Sequence, residues 1–125
     1  QINILQATHA SMARAVTKLP DAPGMVLIDG LAVKGFPFPQ TPVVKGDSLS
    51  LSIAAASIIA KVERDRYMIA MAAKYPGYGF EKHKGYPTKA HVAQLQKLGP
   101  CPIHRRSFGP VSQLVFDFDR KKNKP

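Results

Sequence analysis

The chain has 125 residues, 45% of them hydrophobic, and sets 18 Lys+Arg against 8 Asp+Glu for a formal charge of +10. That length supports one domain around one core, and the charge favours a polyanion such as nucleic acid, with an acidic membrane surface as the open alternative. No apolar run approaches the ~20 residues that span a bilayer, no stretch has the order of a signal peptide, and the single Cys101 can make no internal disulfide and has no CxxC partner for zinc. A soluble protein of a reducing cytoplasm is the expectation.

Leu5, Met12, Val16 and Leu19 recur at helical spacing up to Pro20, so the sequence reads as opening inside a helix. After the turn cluster PDAPG, Met25 to Ile28 form a continuous apolar run of the kind found in a strand covered on both faces, ending at Asp29-Gly30. Residues 30–42 hold several prolines and glycines and read as a loop without a regular ladder, followed by a short strand at Val43-Val44. A helix is predicted from Ser48 to about Pro76, capped by Ser48 or Ser50. Ile53, Ser57, Ala60 and Arg64 lie on one side, and Ile58, Ile59, Val62 and Ile69 form an apolar stripe. Residues 76–87, PGYGFEKHKGYP, read as a loop, and Thr88 caps a short helix that ends at Leu98 before Gly99-Pro100. The closing RKKNKP has the composition of a disordered basic tail. The domain reading is therefore 1–115 with a tail at 116–125.

Asp29 and Asp47 both follow strand-like runs, so the pattern puts carboxylates at the carboxyl ends of two adjacent parallel strands, where open α/β sheets place ligands. Paired carboxylates there suit a divalent cation such as Mg²⁺, which takes oxygen ligands. Asp-Gly is also a common turn dipeptide, and Asp47 before Ser48 serves equally well as a helix-start residue. VVKGDS lacks the GK[ST] of a P-loop and no GxSxG occurs. His9, His83, His91 and His104 have no HExxH spacing and read as surface or structural groups.

INILQAT, VLIDG, VVKGD, IAAASIIAKVERDR, YGFEKHKGYPTKAH and HRRSFGPV occur here in the order in which they occur in bacterial ribonuclease HII. The chain resembles that family from Ile2 to about Val111. The resemblance implies an α/β, ribonuclease H-like fold with a sheet flanked by helices. It implies an endonuclease that cuts the RNA strand of RNA·DNA hybrids, including single ribonucleotides embedded in duplex DNA, using Mg²⁺ or Mn²⁺. Two of the family's four catalytic acids match Asp29 and Asp47. The other two belong to a DExGRG motif that does not occur in these 125 residues, so the resemblance implies a C-terminal portion with the first strands missing.

Hydrolysis of a phosphodiester needs an activated water and a stabilised leaving oxygen, which two metals ~4 Å apart supply. Tyr86 matches the tyrosine that packs on the sugar and contacts its 2′-hydroxyl, the group that separates RNA from DNA. A tyrosine between Gly85 and Pro87 can equally be a loop anchor. Lys45, Lys82, His83, Lys84, Arg105 and Arg106 are the candidate phosphate contacts, against the alternative of a solvated basic face. Asp65 reads as a structural ion pair with Arg64 or Arg66. A monomeric full-length enzyme is expected. The alternative function is a noncatalytic nucleic-acid-binding domain or inactive fragment.

Overall fold

Asn3 starts the first helix. Its Oδ1 accepts the Gln6 amide at 2.9 Å, and Gln6 Oε1 accepts the Asn3 amide at 3.2 Å, a reciprocal capping box at the start of α1 (Ile4–Thr17). The helix expected over the opening residues therefore starts at Ile4, with two otherwise orphaned amides satisfied at its cap. The computed structural model describes residues 3–109 and 111–113. The basic tail expected at 116–125 lies outside the described residues. The chain divides into two compact units at Ala60/Lys61.

In the first unit, β1 (Val26–Asp29) pairs in parallel with β2 (Gln40–Val43), in a register running from Val26 opposite Gln40 to Asp29 opposite Val43. Ile28 is buried while Met25 and Leu27 are exposed. The expectation of a strand covered on both faces is corrected: among the described residues, only the Ile28 face of β1 is covered. β2 also begins earlier than Val43, inside the expected loop, and Val44 falls in the following turn. Gln40 accounts for this. Its side chain accepts the Val33 amide at 2.8 Å and donates to the Val33 carbonyl at 2.7 Å, holding the proline-rich connection around buried Val33. Pro42 is tolerated because, among the described residues, β2 pairs on one side only.

The helix expected from Ser48 is two pieces, α2 (Gly46–Leu49) and α3 (Leu51–Lys74). Ser50 separates them in an extended conformation (φ −129°, ψ 120°), with its Oγ 3.5 Å from the Ile53 amide in the N-cap position of α3. Ile53 is buried. The apolar stripe at Ile58, Ile59, Val62 and Ile69 is exposed among the described residues. Periodicity marks that face as apolar but does not say whether it is covered.

The second unit packs α3 residue Met68 with Tyr78, Phe80, Leu95 and Val111, Phe80 being the most deeply buried. The Tyr78 and Phe80 rings stack at 5.2 Å, and the Tyr78 hydroxyl donates to the Gly99 carbonyl at 2.7 Å. A single turn, α4 (Phe80–His83), sits inside the segment expected to be loop. α5 (Lys89–Leu98) starts as expected, with Thr88 Oγ1 accepting the His91 amide, and ends at Gly99 with φ 77°. Asp65 pairs with Lys61 at 2.8 Å rather than with Arg64 or Arg66, because Lys61 lies one helical turn before it. Arg66 pairs instead with Glu63.

The tightest backbone approach in the first unit is at Gly46. A Cβ there would lie 2.5 Å from Ile53 Cδ1 and 3.3 Å from both Val43 Cβ and Asp29 Oδ1. Gly46→Ala is expected to cost about 1–3 kcal/mol through overpacking, read as a lower urea midpoint at unchanged m. An unchanged midpoint would show that the turn relaxes freely.

Candidate functional site

Asp29 is the last residue of β1, and the ladder continues one step past it through the Gly30 amide, which donates to the Val43 carbonyl at 2.9 Å. After Val43 the chain turns through Val44 and Lys45. Lys45 takes a left-handed conformation (φ 56°, ψ 41°), which brings the chain back so that α2 begins at Gly46. The Gly46 amide then donates to Asp29 Oδ1 at 2.8 Å. Asp47 comes next, in the first turn of α2, and its Oδ1 accepts from Ser48 Oγ at 3.4 Å. Both carboxylates are exposed.

Asp47 is therefore not the end of a strand, as its position after Val43-Val44 suggested. It stands on the helical turn whose leading amide Asp29 holds. The donor set is two carboxylates on one backbone joint, with no sulfur or imidazole in the hydrogen bonds described there. Hard oxygen donors of this kind suit Mg²⁺ or Mn²⁺. Among the described residues no group of three or more His, Cys, Asp or Glu side chains is arranged to hold a metal.

Tyr86 belongs to the second unit. Lys84 and Gly85 both take left-handed conformations (φ 52° and 83°) and turn the chain after α4. The Tyr86 amide donates to the His83 carbonyl at 2.8 Å, and its own carbonyl accepts from the Thr88 amide at 2.8 Å and from His91 Nδ1 at 2.9 Å. The backbone is fixed while the side chain is 58% exposed. The Arg64 guanidinium lies 5.8 Å from the centre of the ring. Tyr86 also lines a pocket of about 590 Å³ together with Arg64, Tyr67, Arg105 and Phe108, over a floor that includes Phe80 and Leu95.

Of the candidate phosphate contacts, Lys45, Lys82, Arg105 and Arg106 are exposed. Arg105 lies over the Phe108 ring at 5.3 Å. Lys84 is half-buried, its Nζ donating to the Glu81 carbonyl. His83 is withdrawn from this set. It is buried, with Nε2 bonded to the Tyr78 carbonyl at 2.8 Å and Nδ1 accepting the Gly85 amide at 3.2 Å, so neither ring nitrogen points at solvent.

The sequence reading missed the connected imidazoles behind Tyr86. His83 and His91 stack at 4.2 Å, His91 Nε2 meets His104 Nε2 at 3.1 Å, and His104 Nδ1 lies 3.0 Å from both the amide and the Sγ of Cys101. The available signal was the presence of three histidines and the only cysteine within a short aromatic-rich stretch, but no local spacing rule brings them together.

The model of the ribonuclease HII family matches residues 1–111. The chain belongs to the ribonuclease HII family. It is 50% identical over 123 residues to the ribonuclease HII of Zymomonas mobilis, covering 95% of this chain and 57% of that protein. It is 52% identical over 116 residues to the ribonuclease HII of Syntrophomonas wolfei, covering 93% and 46% respectively. The ribonuclease HII of Endomicrobium trichonymphae is 54% identical over 116 residues, covering 92% and 55%. The chain thus spans about half the length of the curated relatives it matches. The helices and parallel strand pair described above agree with a partial ribonuclease H-like α/β fold. No described helix is long and apolar enough to cross a membrane.

Burial holds both His91 and His104 below the ordinary imidazole value of 6.5, with the facing His91 adding to the effect at His104. Below about pH 6.5 the unfolded chain takes up protons that the folded chain refuses, so stability rises with pH across this window. The contribution is complete above about 6.5 and is lost as pH falls towards the folded values. The urea midpoint is expected to drop between pH 7.5 and 5.5, and His104→Gln should flatten that dependence. Asp65, held low by Lys61, titrates below this window. A wild-type midpoint constant from pH 7.5 to 5.5 would contradict the assignment of neutral imidazoles at His91 and His104.

Proposed function

We propose that this chain carries part of the catalytic and sugar-reading apparatus of an endonuclease that hydrolyses the RNA strand of RNA·DNA hybrids, including a single ribonucleotide embedded in duplex DNA. The observation that carries the reading is the joint at Asp29 and Gly46. There Asp29 of VLIDG, at the end of β1, accepts the amide of Gly46, the residue before Asp47 of VVKGD, and both aspartates are exposed.

In this reading Asp29 and Asp47 are the residues that hold Mg²⁺ or Mn²⁺. The bound ion supplies water activation and charge stabilisation at the leaving oxygen. The Gly46 amide orients Asp29 by donating to its Oδ1. Two carboxylates leave most of a divalent ion's shell to water, so binding by these two alone is weak.

Tyr86 packs its ring against the sugar at the scissile junction and contacts the 2′-hydroxyl. Its exposed ring on a fixed backbone supports this role over that of a buried loop anchor. Lys45, Lys82, Lys84, Arg105 and Arg106 bind phosphates, which positions the duplex without reading it. The formal charge of +10 supports salt-sensitive binding through counterion release. A cytoplasmic setting and a monomeric full-length enzyme belong to the same reading, the former in keeping with a single free cysteine.

The test is cleavage of a duplex containing one ribonucleotide, with Mg²⁺ or Mn²⁺, by the protein that carries this chain. Asp29→Asn and Asp47→Asn are each expected to lower cleavage on the order of 100-fold or more, while binding to the duplex in EDTA changes little. Tyr86→Ala should lose much more activity on this substrate than Tyr86→Phe, without a large change in melting temperature. Wild-type binding without metal-dependent cleavage would favour a noncatalytic nucleic-acid-binding domain, and full activity of both asparagine variants would remove the aspartates from the site.

A further inference from the structure

Behind the exposed Tyr86 ring runs a chain of hydrogen bonds whose direction is fixed at both ends. The Cys101 amide can only donate, so His104 Nδ1, 3.0 Å away, is an acceptor. In a neutral ring the proton is then on His104 Nε2, which faces His91 Nε2 at 3.1 Å. At the other end the Tyr86 carbonyl can only accept, so His91 Nδ1, at 2.9 Å, carries its proton and His91 Nε2 has the lone pair. The two ends independently require the same arrangement: Cys101 N–H to His104, His104 Nε2–H to His91, and His91 Nδ1–H to Tyr86. Reversing either tautomer sets two donors or two acceptors against each other at a part-buried contact.

Resting on the reading of Tyr86 as the sugar-contacting residue, we propose that His91 is a positioning residue for ribose recognition, locked by His104 and the Cys101 backbone into the tautomer that holds the Tyr86 carbonyl. The placement of the groups supports this over simple core filling. His91 is 8% exposed, stacks on His83 and meets the edge of Phe80 at 5.5 Å, so its ring is immobilised. His83 in turn accepts the Gly85 amide and, through its carbonyl, the Tyr86 amide. The left-handed turn at Lys84 and Gly85 is thereby held from its buried side, and the Tyr86 ring projects from a backbone with little freedom to shift. Recognition of a single hydroxyl depends on placement of this accuracy.

Two substitutions separate the hydrogen bond from the packing. Asn places its amide nitrogen near the position of histidine Nδ1, whereas Gln places it near Nε2, and both remove the ring. His91→Asn therefore retains a donor for the Tyr86 carbonyl and His91→Gln does not. In the protein that carries this chain, His91→Gln is expected to lower kcat/KM on the single-ribonucleotide duplex about tenfold, and His91→Asn to stay within about threefold of wild type.

The same pair is then built into Tyr86→Ala. If His91 acts through Tyr86, the loss caused by His91→Gln disappears in that background. An equal loss in both backgrounds would overturn the positioning role while leaving the reading of Tyr86 intact. If Tyr86→Ala alone has no effect on cleavage, the reading of Tyr86 fails and the proposal fails with it. A measurement on the wild-type chain guards against misfolded variants: long-range ¹H–¹⁵N spectra of the imidazoles should place the proton on Nδ1 of His91 and on Nε2 of His104, and the opposite tautomers would overturn the proposal.

Discussion

The hydrogen bond from the Gly46 amide to Asp29 Oδ1, at 2.8 Å, is the constraint on which the carboxylate turn depends. It ties the carboxyl end of β1 to the first residue of α2 and so brings Asp47, the next residue, to the same joint. The bond needs a close approach, and Gly46 permits it because a side chain there would meet Ile53, Val43 and Asp29 itself. Lys45 completes the turn by taking a left-handed conformation that a non-glycine residue adopts only at some cost. A backbone held this tightly, with its carboxylates facing water, is suited to binding a cation without first having to be ordered.

The Tyr86 loop solves a similar problem with different groups. Here buried imidazoles take the place of the carboxylate, holding the carbonyl of Tyr86 and the amide of Gly85, while the His83 carbonyl takes the Tyr86 amide. The cost of burying polar rings is offset because the nitrogens of His83, His91 and His104 all have partners. A hydrophobic core at the same place would pack as well but would leave the loop's backbone groups without partners. The polar network thus satisfies the backbone groups on either side of the exposed tyrosine.

Much of this was legible in the sequence wherever a local rule applied. Thr88 and Gly99 mark α5 because capping is a short-range matter, and the ordered motifs identified the family and its candidate residues. Legibility failed where a partner distant in sequence decides the outcome. Gln40 begins β2 inside a proline-rich stretch by bonding to Val33, and no propensity contains that contact. Ser50 splits the long helix, although the apolar periodicity runs through it unbroken. The stripe at Ile58, Ile59, Val62 and Ile69 was readable as an apolar face, but periodicity says that a face is apolar and not whether it is covered. His83 looked like a phosphate contact because it lies between two lysines, and only its burial shows that both nitrogens are spent on the loop.

The central claim is that Asp29 and Asp47 hold one divalent cation between them at the β1–α2 joint. Titrating Mn²⁺ into the ¹⁵N-labelled chain and following the loss of amide signals tests this directly, because paramagnetic broadening falls off steeply with distance from the ion. The amides of Gly30, Gly46, Asp47 and Ser48 should broaden first and together, and Asp29→Asn should abolish the effect. Broadening centred on any other part of the chain, or broadening at this turn that survives Asp29→Asn, would contradict the account.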